Sequence, residues 1–206
     1  MKVGIVIPDG TGIRNYLFSN LVDELRKKDC EIILYHSVSK EAIEEISKRH
    51  SIAFKVVELP VYLESPIQKL FRETICFARL LFNSKKVNNP TILKHWNPKK
   101  KGVKNRFFYT VVEFIGEIIY KKYSKILKFE ARYDNSITNN IDPYLKIIED
   151  TKPGILFSTH QRSMNAVPLV KAAKLNGIST VGAIFSWDNL PKARLTVRTD
   201  LYIVWS

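Results

Sequence analysis

Cysteine is scarce in this 206-residue sequence, and long hydrophobic runs are absent from it. The two cysteines, Cys30 and Cys76, have no CxxC spacing, which argues against a zinc site or a disulfide framework and favours a reducing compartment. No apolar stretch approaches the roughly 20 residues of a spanning helix. The first apolar run ends at Pro8, too early for a signal-peptide core. We therefore expect a cytoplasmic protein without a bound metal, either soluble or peripheral on the inner face of the membrane.

The common phosphate-binding motifs are also missing. The segment after the first apolar run, DGTGIRN at residues 9–15, has two glycines but no Gly-Lys-Ser/Thr, so it is not a Walker motif. Asn15 occupies the third glycine position of the dinucleotide fingerprint, which makes a dinucleotide site improbable and predicts no tightly bound cofactor. Two interpretations stay open for these residues: a tight strand-to-helix turn, or a loop whose backbone approaches a ligand.

Positive charge is abundant and concentrated in one segment. The chain carries 33 basic and 20 acidic residues, a net charge of +13, and residues 66–132 hold 16 of the basic and only 4 of the acidic ones. A basic block of this kind predicts an anionic partner: a membrane leaflet, a phosphorylated glycan or lipid, or nucleic acid. Nucleic acid is the least favoured partner, because the lysines cluster in an irregular segment and no recognised nucleic-acid-binding motif accompanies them.

Outside this block, strand-like and helix-like segments alternate along the chain. Short apolar, β-branched runs are followed by segments with helical apolar spacing, which is the pattern of a parallel α/β unit. We expect a single Rossmann-like domain, with a doubly wound, mostly parallel sheet in the order 3-2-1-4-5-6 and the first strand central. The predicted strands lie at residues 2–8, 30–35, 52–59, 154–158, 178–185 and 201–205.

Residues 66–132 are predicted to be a basic helical insertion in this domain. Apolar residues repeat at helical spacing over 67–82 and again over 108–126, which indicates two amphipathic helices. Residues 84–105 between them have loop composition. We expect the apolar faces to pack, and we expect the lysine cluster to contact an anionic membrane, although the lysines could instead be a solvated surface. The predicted membrane-contact residues are Lys99, Lys100, Lys101 and Lys104.

Three candidate catalytic residues follow predicted strands. Asp9 follows the first strand, His160 the fourth and Asp188 the fifth. Because ligands of open parallel sheets bind outside the carboxyl ends of the strands, these side chains are expected at the crevice. A neutral imidazole suits deprotonation of a hydroxyl, and Asp188 could orient a base or bind hydroxyl groups. The alternatives are a structural histidine and an Asx turn at Asp188 with Trp187 in the core.

Several segments resemble the N-terminal, acceptor-side half of GT-B-fold glycosyltransferases. They are the opening strand, glycine loop and helix, KPGILFSTHQRS at residues 152–163, FSWDNL at 185–190, and the ending at 198–206. The resemblance is strongest to bacterial surface-polysaccharide enzymes related to the CDP-glycerol glycerophosphotransferases. It implies the acceptor-binding half of a nucleotide-sugar-dependent glycosyltransferase in cell-envelope polysaccharide or lipopolysaccharide synthesis.

The resemblance also implies partners and residue roles. The donor substrate, a nucleotide sugar, would bind mainly a second C-terminal domain, so this chain would be a fragment or one partner of a split enzyme and inactive alone. The acceptor would be a glycan or a lipid-linked glycan. His160 or Asp9 would be the base and Asp188 would position the acceptor. Alternatives are a fragment resembling a non-hydrolysing UDP-sugar epimerase and a basic nucleic-acid-binding module. The acceptor-binding residues would be Gly10, Thr11, Gly12, Arg14, Thr159, Trp187 and Asn189.

Overall fold

The computed structural model describes residues 1–98, 102–184, 195 and 197–204. These residues form two compact units. The α/β unit contains residues 1–62, 138–184 and 197–204, and the helical unit contains residues 63–137 and 195. The sequence predicted a basic helical insertion at residues 66–132, and that segment lies within the helical unit.

The α/β unit is built on a six-stranded parallel sheet in the order β3-β2-β1-β4-β5-β6. This confirms the predicted Rossmann-like, doubly wound fold, with β1 at the centre between β2 and β4. The first and last residues of each strand lie within three residues of the predicted ones. The strands are β1 Lys2–Ile7, β2 Glu31–His36, β3 Lys55–Glu58, β4 Ile155–Ser158, β5 Ser179–Ile184 and β6 Leu201–Val204.

Helices cover this sheet, as the parallel topology requires. Helix α3, Lys40–His50, begins after Ser39, whose hydroxyl caps it by accepting a hydrogen bond from the Ala42 amide at 3.4 Å. Helix α1 continues directly into a π-helical turn, Ile13–Leu17. The helices are α1 Gly10–Gly12, α2 Leu21–Lys27, α3 Lys40–His50, α7 Asp142–Thr151 and α8 Val167–Leu175, with 3₁₀ turns at Ile137–Asn140 and Met164–Ala166.

The central strand β1 is buried along almost its whole length. Ile5 and Ile7 have no exposed surface, because β1 has a neighbouring strand on each side and helices above and below it. Gly4 allows a close approach, since a Cβ there would lie 2.7 Å from the Tyr35 ring. The Tyr35 hydroxyl in turn lies 2.7 Å from the Thr151 hydroxyl oxygen. Packing of this density fixes where β1 ends and therefore where the residues after it lie.

The helical unit contains helix α4 Pro66–Lys86, the 3₁₀ helix Pro90–His95, helix α5 Val103–Ile119 and helix α6 Tyr123–Ser136. The structure differs from prediction at two places. The apolar pattern over 108–126 predicted one helix, but α5 ends at Ile119 and α6 begins after Lys122, whose backbone is extended. Residues 84–105 were predicted to be a loop, but Asn89 caps the 3₁₀ helix within them. No helix in the described part of the chain is long and apolar enough to cross a bilayer.

Three charged side chains on α4 are buried or partly buried: those of Glu73, Arg79 and Arg72. The reason is that α4 packs against both α5 and α6. Arg72 binds Glu64 through two nitrogens at 2.8 and 2.9 Å, and it also contacts Glu73 at 2.5 Å. Burial lowers the pKa of Arg72, but the two carboxylates outweigh this and raise it above its ordinary value. Arg79 pairs with Glu130 at 2.6 Å.

Candidate functional site

Asp9 and His160 form a hydrogen-bonded pair at the carboxyl edge of the sheet. Asp9 comes two residues after the end of β1, and His160 comes two residues after the end of β4. The two strands are neighbours, with Val6 opposite Ser158. The strand order reverses between β1 and β4, so the pair lies at the topological switch point, where ligands of this fold class bind. His160 Nδ1 lies 2.5 Å from Asp9 Oδ2.

Asp9 has a second role as the cap of helix α1. Its Oδ1 atom accepts a hydrogen bond from the Thr11 amide at 2.9 Å, and its backbone is extended, as at other N-caps. The helix therefore begins at Gly10, whereas the sequence was interpreted as a turn over residues 9–15. Burial raises the pKa of Asp9, but the hydrogen bond and charge of His160, together with Thr11, outweigh burial and hold it below its usual value. Asp9 is therefore ionised at neutral pH.

The ionised carboxylate fixes the tautomer of His160. A carboxylate oxygen can only accept, so His160 Nδ1 carries the proton in this hydrogen bond. In the neutral ring Nε2 is then the basic atom. The His160 side chain is 15% exposed and that of Asp9 is 36% exposed, so the pair sits at the edge of the solvent rather than in the core. His160 Nε2 itself is buried in this structure. An imidazole oriented in this way takes a proton from a hydroxyl group that reaches Nε2, and the carboxylate stabilises the imidazolium that forms.

Gly12 and Thr159 bring helix α1 close to the end of β4. The Thr159 hydroxyl donates to the Val6 carbonyl at 2.7 Å, and Thr159 has no exposed surface. A Cβ on Gly12 would lie 2.2 Å from Thr159 Oγ1, so only glycine fits. The structure thus gives these two predicted acceptor-binding residues a packing role that positions Asp9 next to His160. An acceptor contact by either of them stays a prediction.

The other residues predicted for the glycine segment lie closer to solvent. Gly10 is exposed, and no atom lies within 4 Å of the place where its Cβ would be. Thr11 is half-buried beside Asp9. Arg14 is exposed, and its Nε donates to Asn15 Oδ1 at 3.2 Å. Among the described acceptor candidates, Gly10 and Thr11 have accessible surface and directly follow Asp9.

Several predicted site residues lie outside the described part of the chain. They are Trp187, Asp188 and Asn189 at the sheet-edge site and Lys99, Lys100 and Lys101 in the basic block. Lys104 is described, and it is exposed in the first turn of α5. Among the described residues, no group of three or more His, Cys, Asp or Glu side chains converges as a metal site would require.

His36 is a histidine at the same edge of the sheet that the sequence analysis did not select. It is the last residue of β2, opposite Ile7 of β1, and only 3% of it is exposed. Its Nδ1 lies 3.0 Å from the Val38 carbonyl, which can only accept, so Nδ1 carries the proton. The second predicted strand ended at Tyr35, one residue too early. Extending that strand by one residue would have placed His36 beside the site.

Comparison of the chain with protein-family models, with curated proteins and with solved structures returns no match. The fold class and the Asp9–His160 pair at the switch point are therefore the observations from which a function can be argued. They define an α/β protein with a carboxylate–imidazole pair at the edge of the sheet where ligands of this fold class bind.

Proposed function

We propose that this chain is the acceptor-binding half of a nucleotide-sugar-dependent glycosyltransferase that acts in cell-envelope polysaccharide or lipopolysaccharide synthesis. The observation that supports this most is the Asp9–His160 pair, with 2.5 Å between Oδ2 and Nδ1, at the switch point of the sheet. Transfer of a sugar to a hydroxyl group needs a base on the acceptor side, and an imidazole oriented by a carboxylate supplies one. The segment resemblances at residues 152–163 and 185–190 point to the same function.

In the proposed reaction the acceptor oxygen forms a bond to the anomeric carbon of the donor. The bond from that carbon to the diphosphate oxygen breaks, and the nucleotide leaves with the electron pair. The hydroxyl proton passes to Nε2 of His160, and Asp9 stabilises the resulting imidazolium through Nδ1. Asp188 and Asn189, which follow β5 in the sequence, are proposed to position the acceptor hydroxyl.

The donor is proposed to bind mainly to a second domain, because the segment 9–15 lacks both phosphate-binding motifs. Nucleotide-sugar binding by the chain itself is therefore expected to be weak. Acceptor binding is expected to perturb the atoms around the pair, including the open surface at Gly10.

Calorimetry and histidine-selective NMR on the isolated chain test this proposal. UDP-, GDP- and CDP-sugars should bind no more tightly than micromolar, whereas an oligosaccharide from a panel of envelope-glycan repeats should shift the His160 ring resonances. The His160→Gln variant identifies those resonances. Sub-micromolar binding of a nucleotide sugar would contradict the proposal, and release of an epimerised UDP-sugar would point to the epimerase alternative instead.

A further inference from the structure

Helix α5 is apolar on two opposite sides. One side packs in the helical unit and includes Tyr109, Val112, Gly116 and Ile119, all of which are buried. At Gly116 an added Cβ would lie 2.6 Å from the Phe77 ring, which shows how closely α5 approaches α4. This buried side packs α5 within the helical unit. Packing of the unit therefore does not explain the apolar residues on the opposite side of α5.

The other side of α5 presents a stripe of exposed apolar residues. Counted along the helix, its four members are separated by four, seven and four residues, which places them within an arc of about 60°. This stripe consists of Val103, Phe107, Phe114 and Ile118, which are 84%, 72%, 64% and 45% exposed. Two largely exposed phenylalanines on one helix face are costly in water, and contiguous exposed apolar surface marks an interaction site.

Basic residues flank the stripe at both ends. Lys104 and Arg106 lie in the first turn of α5, and Lys121 and Lys122 follow its last residue; all four are exposed. Glu117 is exposed beside the stripe. An apolar stripe flanked by lysine and arginine is the composition of helices that lie in the interface of an anionic bilayer.

The acidic residues of the basic block do little to offset this charge, because most of them are engaged inside the helical unit. Glu73 pairs with Arg72, and Glu130 pairs with Arg79. Glu113 accepts a hydrogen bond from the Trp96 indole at 2.8 Å. Of the four acidic residues among 66–132, Glu117 is the remaining one, whereas the two ion pairs take up only Arg72 and Arg79 of the 16 basic residues. The surface around the stripe is therefore strongly positive.

We propose that the exposed stripe of α5 inserts into the headgroup boundary of an anionic lipid bilayer, with the flanking basic residues on the lipid phosphates. The charge argues for this occupant, because a neutral protein surface would match the apolar stripe but not the basic residues at its two ends. For Lys104 the sequence predicted only an electrostatic contact with the membrane. Insertion of phenylalanine side chains adds binding free energy that salt does not screen. This proposal does not depend on the Asp9–His160 site.

Vesicle sedimentation tests the insertion. The chain should bind vesicles of 70% phosphatidylcholine and 30% phosphatidylglycerol and bind pure phosphatidylcholine vesicles much more weakly. The double variant Phe107→Ser/Phe114→Ser keeps every charge, and its partition constant on the anionic vesicles should fall at least about tenfold, equivalent to 1.4 kcal/mol. Leu175→Ser is the matched control, since Leu175 is a 53% exposed helical residue of the α/β unit and its replacement should leave binding unchanged.

Fluorescence gives a second readout that charge-only adsorption would not produce. In a Phe114→Trp variant, emission should shift to shorter wavelength on anionic vesicles and be quenched by lipids brominated near the headgroup. Circular dichroism and thermal melting check that the variants fold. Equal binding of wild type and the double serine variant would overturn the insertion, as would absence of wild-type binding at low salt. Concentration-dependent dimerisation that the serine variant abolishes, without vesicle binding, would assign the stripe to a second copy of the chain.

Discussion

Asp9 Oδ2 accepts a hydrogen bond from His160 Nδ1 at 2.5 Å, although the two residues are 151 positions apart in the sequence. The sheet brings them together, because β1 and β4 are adjacent and in register with Val6 opposite Ser158. Residues that follow the ends of two neighbouring parallel strands meet at one edge. The pair therefore depends on the packing of β1, β4 and helix α1 as much as on its own two side chains.

The first prediction concerns the pH dependence of stability. The folded-state pKa of Asp9 is below its ordinary value, so its ionised form stabilises the fold above the unfolded carboxyl value of about 3.9. That contribution is lost as the pH falls through the lower folded-state pKa. Asp9→Asn keeps the N-cap but loses the charge, so it should lower the unfolding free energy at pH 7 by only about 1 kcal/mol, because the carboxylate is partly exposed.

Urea denaturation of wild type and Asp9→Asn between pH 7 and pH 2 measures this effect. The difference in unfolding free energy should be constant from pH 7 to about pH 5 and should shrink towards zero in acid. A difference that grew on acidification would show that the carboxylate does not stabilise the fold through His160.

The second prediction compares two glycines of helix α1. Gly12 has helical backbone angles, so alanine there is disfavoured only by its contact with Thr159 Oγ1, at 2.2 Å. Gly12→Ala should destabilise the chain by about 1–3 kcal/mol, as overpacked sites do. Gly10→Ala is the control, since its added methyl meets no atom within 4 Å and the change should be neutral or slightly stabilising. Thermal melting of both variants measures the contrast, and equal melting temperatures would contradict it.

Sequence patterns predicted the strands well, because buried parallel strands are short, apolar and β-branched. The order 3-2-1-4-5-6 follows from right-handed crossovers and the common doubly wound arrangement. The break between α5 and α6 was not predictable in this way, because neither proline nor glycine occupies residues 120–122 and the apolar period continues through them. The strands and their order thus follow from local sequence patterns, whereas the break between α5 and α6, which both pack against α4, has no such local signal.

The candidate site was also predictable only in part from local sequence patterns. Asp9 and His160 could be placed at one edge because each follows a strand, but their direct contact depends on register and on the Gly12–Thr159 approach, which no local pattern reveals. The burial of Glu73 and Arg79 was not predicted, because helical periodicity identifies one apolar face, and α4 packs against both α5 and α6. Ion pairing then allows these charged side chains to be buried.

The third prediction concerns the partly buried Arg72–Glu64 pair of the helical unit, whose side chains are 18% and 13% exposed. Arg72→Lys keeps the charge but cannot make the two parallel bonds to Glu64, which are 2.8 and 2.9 Å long. We expect a loss of about 1–3 kcal/mol in unfolding free energy, because part of a largely covered carboxylate is left without its donor. Lys27→Met removes the exposed pair of Lys27 with Glu24 and is the control, with an expected change below about 1 kcal/mol. Denaturant titration of both variants decides this, and a loss below 1 kcal/mol for Arg72→Lys would argue against the pair.

The central claim is that His160, oriented by Asp9, is the base of a sugar transfer. Its most direct test is incorporation of radiolabelled sugar from UDP-, GDP- and CDP-sugars into glycan and lipid-linked acceptors. Because the proposal places the donor mainly on a second domain, the assay uses the full product of the gene. His160→Gln should lower the transfer rate by about 10²- to 10⁴-fold while the protein stays folded, whereas His95→Gln, in the helical unit, should leave the rate unchanged. Transfer by the His160→Gln variant at the wild-type rate would contradict the account.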